Sequence, residues 1–167
     1  MTNPSAPLPA PGRVPTLYEW VGGIAALDRL TTRFYERVKG DAVLAPVFAR
    51  MGPDHPHHVA VFLAEVLGGP ADYSREHGGH PHMIRRHLDR HLTQEQRRQW
   101  VGLLLSTADE LGMPDDPEFR AALVGYLEWG SRLAVQNSQG GIAVDPSAQM
   151  PKWDWAEIYG AKGPYQG

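Results

Sequence analysis

The chain has 167 residues, 42% hydrophobic and 21% charged, enough apolar material for one ordinary core and too much for a disordered or collagen-like chain. Sixteen Lys and Arg against 19 Asp and Glu leave a net charge of −3, which gives neither nucleic acid nor an anionic membrane an electrostatic reason to bind. Cysteine is absent, which excludes disulfides, thiolate metal sites and a cysteine nucleophile, and all eight histidines fall between His55 and His91.

Residues 1–15 are rich in Pro and Ala and lack the apolar core of a signal peptide, so they read as a flexible extension. From 16 to 139 the chain reads as helix after helix. Ile24, Leu27, Leu30, Phe34 and Val38 recur at steps of three and four before Gly40. A second helix starts near Pro56, carries Val59, Phe62, Leu63 and Val66, and stops at Gly68-Gly69-Pro70. Thr93 and Gln96 have the spacing of a capping box, ahead of an inner face of Trp100, Leu103, Leu104, Thr107 and Leu111. Asp116-Pro117 opens a last helix with Phe119, Ala122, Leu123, Tyr126, Leu127, Gly130 and Leu133 as its stripe. No run alternates as a strand does, so the fold class is all-α.

Two connections interrupt this pattern. Residues 46–56 are proline-rich and contain Phe48, while residues 69–83 hold Gly78-Gly79 and Pro81 and are expected to resist regular helix. Residues 140–167 are again rich in Gly and Pro and read as a tail, but Trp153, Trp155 and Tyr159 are costly to leave in water, so at least one should dock. No apolar stretch approaches the roughly 20 residues that cross a bilayer, and a cytoplasmic protein is the expectation.

A histidine cluster without cysteine suggests metal binding, acid–base catalysis or haem ligation. His87 and His91 have a metal-compatible helical spacing, yet the residue after His87 is Leu88 and not the Glu of an H-E-x-x-H zinc hydrolase. A helical zinc-binding protein is therefore the non-haem alternative. Ser74 lies near His77 and His80 without a nucleophile elbow, and there is no glycine-rich phosphate loop for a nucleotide or flavin. Haem needs one neutral imidazole, apolar walls and a polar donor on the opposite face, all of which an all-α chain with core aromatics can supply. His57, His77, His82 and His91 read as solvated.

Several segments have a more specific look. Leu17-Tyr18-Glu19-Trp20-Val21-Gly22-Gly23, Arg33-Phe34-Tyr35 and Leu44-Ala45-Pro46-Val47-Phe48 are followed by a run from Phe62 through Gly68-Gly69-Pro70 to Ser74. His80-Pro81-His82-Met83-Ile84-Arg85-Arg86-His87 comes next, with Trp100 thirteen residues beyond. Together these resemble the truncated haemoglobins, and Trp100 resembles their second subgroup (group II), over residues 16–139. The resemblance implies a two-over-two helical sandwich around haem b.

It further implies that His87 is the proximal iron ligand, that Tyr35 is the distal hydrogen-bond donor, and that Trp100 adds an indole N–H and an apolar wall. Phe48 would pack on the haem plane and Val59 would lie over the iron. His55 would sit near the pocket mouth as a distal gate or ligand, with His58 as its rival. Tyr73, His80 and Arg86 would meet the haem propionates. The second subgroup often has Tyr where this chain has Phe48, so one distal donor is missing. The implied function is reversible binding of dioxygen and other diatomic gases, with Tyr35 and Trp100 acting in any nitric oxide dioxygenation or peroxide chemistry. Such turnover needs electrons from a separate reductase, because no room is expected here for a flavin domain. Gas sensing or storage without turnover is the alternative. Oligomeric state is not readable from the residues.

Overall fold

The computed structural model describes residues 12–158 and 160–164. Most of the N-terminal extension, and Tyr159, lie outside the described residues. Helix α1 (Leu17–Val21) starts in a capping box, Thr16 accepting from the Glu19 backbone and Glu19 from that of Thr16. It ends at Gly22, whose φ of 105° lets the chain reverse at once into α2 (Gly23–Val38). One face of α2 is fully buried through Ala26, Leu27, Leu30, Thr31, Phe34, Tyr35 and Val38.

Turns then lead to α3 (His55–Val66), which begins at His55 with Pro56 in its first turn, where no backbone N–H is needed. Almost every side chain from Ala60 to Leu67 is buried. The glycine pair after α3 is a packing requirement as well as a stop. A Cβ on Gly69 would lie 2.7 Å from the Ala64 carbonyl oxygen and 2.8 Å from the Tyr18 ring. The Tyr18 N–H donates to the Leu67 carbonyl at 2.9 Å, fastening α1 to this end of α3.

The expectation that residues 69–83 resist helix is corrected by the structure. The segment forms α4 (Asp72–His77) and most of α5 (Gly79–His87), joined at Gly78 with φ 89°. Its glycines mark a joint between two short helices, and Pro81 occupies the first turn of α5, where its missing N–H costs nothing. The helical spacing of His87 and His91 is also lost, because α5 ends at His87 and both Asp89 (φ 56°) and His91 (φ 50°) are left-handed.

Helix α6 (Gln94–Glu110) begins in the Thr93–Gln96 capping box. Helix α7 (Pro117–Asn137) is capped by Asp116, which accepts from the Phe119 N–H at 3.0 Å and from the Trp20 indole at 2.9 Å. Helix α2 packs on α3 and α6, α6 on α7, and α7 on α5. This is the all-helical two-over-two sandwich, without a sheet among the described residues.

Residues after α7 wrap the domain as a strap. His91 N–H donates to Ser138 O (2.8 Å), Trp153 N–H to Val66 O (2.8 Å) and the Trp155 indole to Pro15 O (2.8 Å). Trp155 is 3% exposed, packed edge-on against Trp20 and Phe119, and Trp153 lies against Tyr126 and Trp129. Among the described residues no helix is long and apolar enough to cross a membrane.

Candidate haem site

The buried face of α2 delivers Tyr35, 3% exposed, into a cluster of rings. Phe34 meets it edge-on at 4.7 Å between centroids, Phe48 at 5.3 Å and His55 at 4.8 Å. Trp100, half-buried on α6, packs edge-on against Phe34 at 5.6 Å, and its indole N–H is the hydrogen-bond partner of the Tyr35 phenol. Burial pushes the phenol well above its ordinary pKa, against the weaker opposing pull of Trp100. Tyr35 therefore keeps its proton and remains an O–H donor.

His55 is the first residue of α3, and its ring also touches Phe48 at 5.9 Å. Its Nε2 is buried without a hydrogen-bond partner. Burial, and then the charges of Arg86, His58, Arg90 and His87, push its pKa down to about 4, so the ring is neutral at neutral pH. The rival His58 is exposed and lies against His77, ring centroids 4.5 Å apart. Val59 packs half-buried against the core.

His87 closes α5 on the other side. Its Nδ1 lies 2.8 Å from the Met83 carbonyl, one turn earlier, so the Nδ1–H tautomer donates there and Nε2 keeps its lone pair. Burial pushes the His87 pKa down, the Met83 bond opposing, and the ring is the neutral form a metal needs. A side chain with one ring nitrogen anchored and the other free has the chemistry of a haem ligand, and the protonated Tyr35 phenol has that of a hydrogen-bond donor.

The remaining candidates are spread along the edge. Tyr73 is buried against Phe62 (5.0 Å) and near His77 (5.3 Å) and His82 (6.2 Å), and burial raises its phenol to about 12. Arg86 is exposed, and its charge acts on His55, His58, Tyr73, His82 and His87. His80 is half-buried and hydrogen-bonded to the Gln149 backbone of the strap, so the structure engages it there. Reading the sequence missed Met83. Its carbonyl orients His87 from four residues upstream, a relation visible only once that stretch is treated as helix. Among the described residues no three His, Asp, Glu or Cys side chains are grouped to hold a metal ion by themselves.

The family model for bacterial-like globins matches residues 16–128. Group 2 truncated hemoglobin YjbI of Bacillus subtilis is 34% identical over 122 residues, covering 73% of this chain and 89% of that protein. The structure of the truncated oxygen-avid haemoglobin from Bacillus subtilis superposes with a TM-score of 0.64 at 34% identity, covering 72% of this chain and 99% of that one. The group II truncated hemoglobin of Bacillus anthracis gives a TM-score of 0.67 at 27% identity, covering 74% of this chain and 92% of that one. The chain belongs to the bacterial-like globin family and is a truncated haemoglobin of the group II kind.

Proposed function

We propose that this globin holds haem b through His87 and binds dioxygen and other diatomic gases reversibly beneath Tyr35 and Trp100. The observation that carries this reading is the state of His87: half-buried, neutral, with Nδ1 committed to Met83 and Nε2 free. Similarity to an oxygen-avid haemoglobin supports the choice of ligand. Bound haem supplies the ligand-binding iron and, given electrons, the redox chemistry that nitric oxide oxidation to nitrate or peroxide consumption requires.

The chain's own residues set the conditions. Tyr35 holds a proton at its phenol oxygen and donates toward a ligand that gains negative charge, which slows the ligand's escape. Trp100 fixes that phenol and closes the wall behind it. Phe48 and Val59 supply apolar contact, and His55 offers its free Nε2 at the mouth of the pocket. Arg86 and Tyr73 are the cation and hydroxyl suited to anionic haem carboxylates.

Expressed in cells that make haem, the protein is expected to be red with an intense Soret band, whereas colourless protein with stoichiometric zinc would overturn the reading. His91→Ala should leave the spectrum unchanged. Rapid mixing of the oxygenated form with nitric oxide, with and without a reductase, separates catalysis from binding. Fast re-reduction makes the protein an enzyme with a separate reductase, and slow re-reduction makes it a binder or sensor.

A further inference from the structure

The chain is net acidic, yet from His77 to Leu88 it contains no Asp or Glu. That stretch is α5, with Arg85 and Arg86 on its last turn, and Arg90 follows just beyond. All three arginines are exposed, and Arg90 Nε donates to the Arg86 carbonyl at 2.7 Å, which holds the two side by side. None has a carboxylate partner among the described residues. Seven other arginines are paired: Arg13 with Glu19, Arg33 and Arg37 with Glu110, Arg75 with Asp72, Arg97 and Arg132 with Glu128, Arg120 with Asp109. Arg29, Arg50 and Arg98 also lack a carboxylate partner among the described residues but are scattered over other segments. Arg85, Arg86 and Arg90 instead fall in one place, within six residues, with Asp89 as the one acid among them, and their charge reaches His82 and His58.

That place is the edge shared by both walls of the haem site, since Arg86 and Arg90 act electrostatically on His55 of the distal wall and on His87 of the proximal wall. Haem carboxylates would occupy Arg86, leaving Arg85 and Arg90 facing outward with no anion of this chain to meet them.

We propose that this cationic shelf is the docking face for an acidic electron-donor protein. The inference rests on the haem reading above and names the partner of that site. Two exposed arginines at and just beyond a helix end make a poor cage for a small anion, but they suit a large surface of opposite sign, which they would steer and orient. A donor seated there has its redox group at the edge of the pocket. One electron would pass from the donor's reduced group to the haem that His87 would hold, the donor being oxidised by one electron, and no covalent bond would form or break.

The probe is an acidic flavodoxin. Labelled flavodoxin is titrated at low salt with haem-loaded and haem-free protein, and its fluorescence anisotropy is followed. Separately, photoreduced flavodoxin is mixed with the ferric protein under carbon monoxide, and the ferrous spectrum is timed. The second-order rate constant should fall about tenfold or more between low salt and about 0.5 M salt. The doubly reversed variant Arg85→Glu with Arg90→Glu should lose both the anisotropy change and about tenfold of the low-salt rate, with its haem spectrum intact. Lys39→Glu, at the end of α2, should change neither. A rate indifferent to salt and to the reversal overturns the proposal. So does binding of phosphatidylglycerol vesicles that is lost in the reversed variant while flavodoxin binding persists, which would make the shelf a membrane contact. If the protein takes up no haem, the functional reading fails on its spectrum, while the anisotropy still reports on the shelf.

Discussion

The two walls of the site are made by different means. The distal wall is side chain against side chain: Tyr35, Phe34, Trp100, Phe48 and His55 in mutual ring contact, mounted on the buried stripe of α2. The proximal wall is α5, whose only buried residue is Gly79. It packs on α4 and α7 with Met83 against the core, and hydrogen bonds mark its ends: His80 to the Gln149 backbone, His87 to Met83 within the helix, and His91 N–H to Ser138 O just beyond it. Two of those three contacts come from the end of α7 or the strap beyond it, outside residues 16–128 that match the family. The ring cluster thus inherits its rigidity from the core, while α5 leans on residues that lie beyond the family match.

Removing the anchor of the strap should break this contrast most strongly. Trp155→Ala deletes a buried aromatic packed on Trp20 and Phe119 and is expected to cost about 3–5 kcal/mol in denaturant unfolding. Hydrogen exchange should then accelerate in α5 more than at Phe34–Tyr35, and equal acceleration in both walls would contradict the difference drawn between them. A smaller loss should follow Gly69→Ala, because the new Cβ meets the Ala64 carbonyl and the Tyr18 ring below 3 Å. That crowding is worth roughly 1–3 kcal/mol and should show as a lower Tm with the haem spectrum kept.

Acid should act through the buried histidines. The His55 pKa drops from an ordinary 6.5 to about 4 on folding. Between those values the unfolded chain binds the proton and the folded one does not, so stability is full above pH 6.5 and falls as pH drops toward 4. After allowance for solvent screening of a partly exposed ring, the effect is about 1–2 kcal/mol. Stability of the haem-free protein, measured across that window, should slope less steeply in His55→Leu. Smallest in energy is Tyr35→Phe, which removes one hydrogen bond of about 1 kcal/mol and should speed oxygen dissociation by roughly fivefold, leaving the fold in place. An unchanged dissociation rate would show that Tyr35 is not the donor.

The same contrast governs how far the sequence could be read. Helices α2, α6 and α7 were legible because their apolar periodicity and caps are local: Thr93 with Gln96, and Asp116 before Pro117. Tyr35, Phe48 and Trp100 stand on or beside those elements, so the structure brings them together where the family resemblance puts a distal pocket. The proximal side is written in Gly and Pro, which signal a break without saying whether a loop or another helix follows. That ambiguity hid α4, α5 and the Met83 carbonyl. That Trp155 finds Pro15 and Trp20 is not a local property at all. The tryptophans announce that they must dock, but nothing near them says where.

The central claim is that His87 carries the cofactor, and hemin titration into haem-free protein tests it most directly. The unmodified chain should take up one equivalent with a sharp Soret band. His87→Gly should bind it far more weakly, with a shifted band that added imidazole restores. A His87→Gly variant that keeps the parent's affinity and spectrum without imidazole would contradict the account.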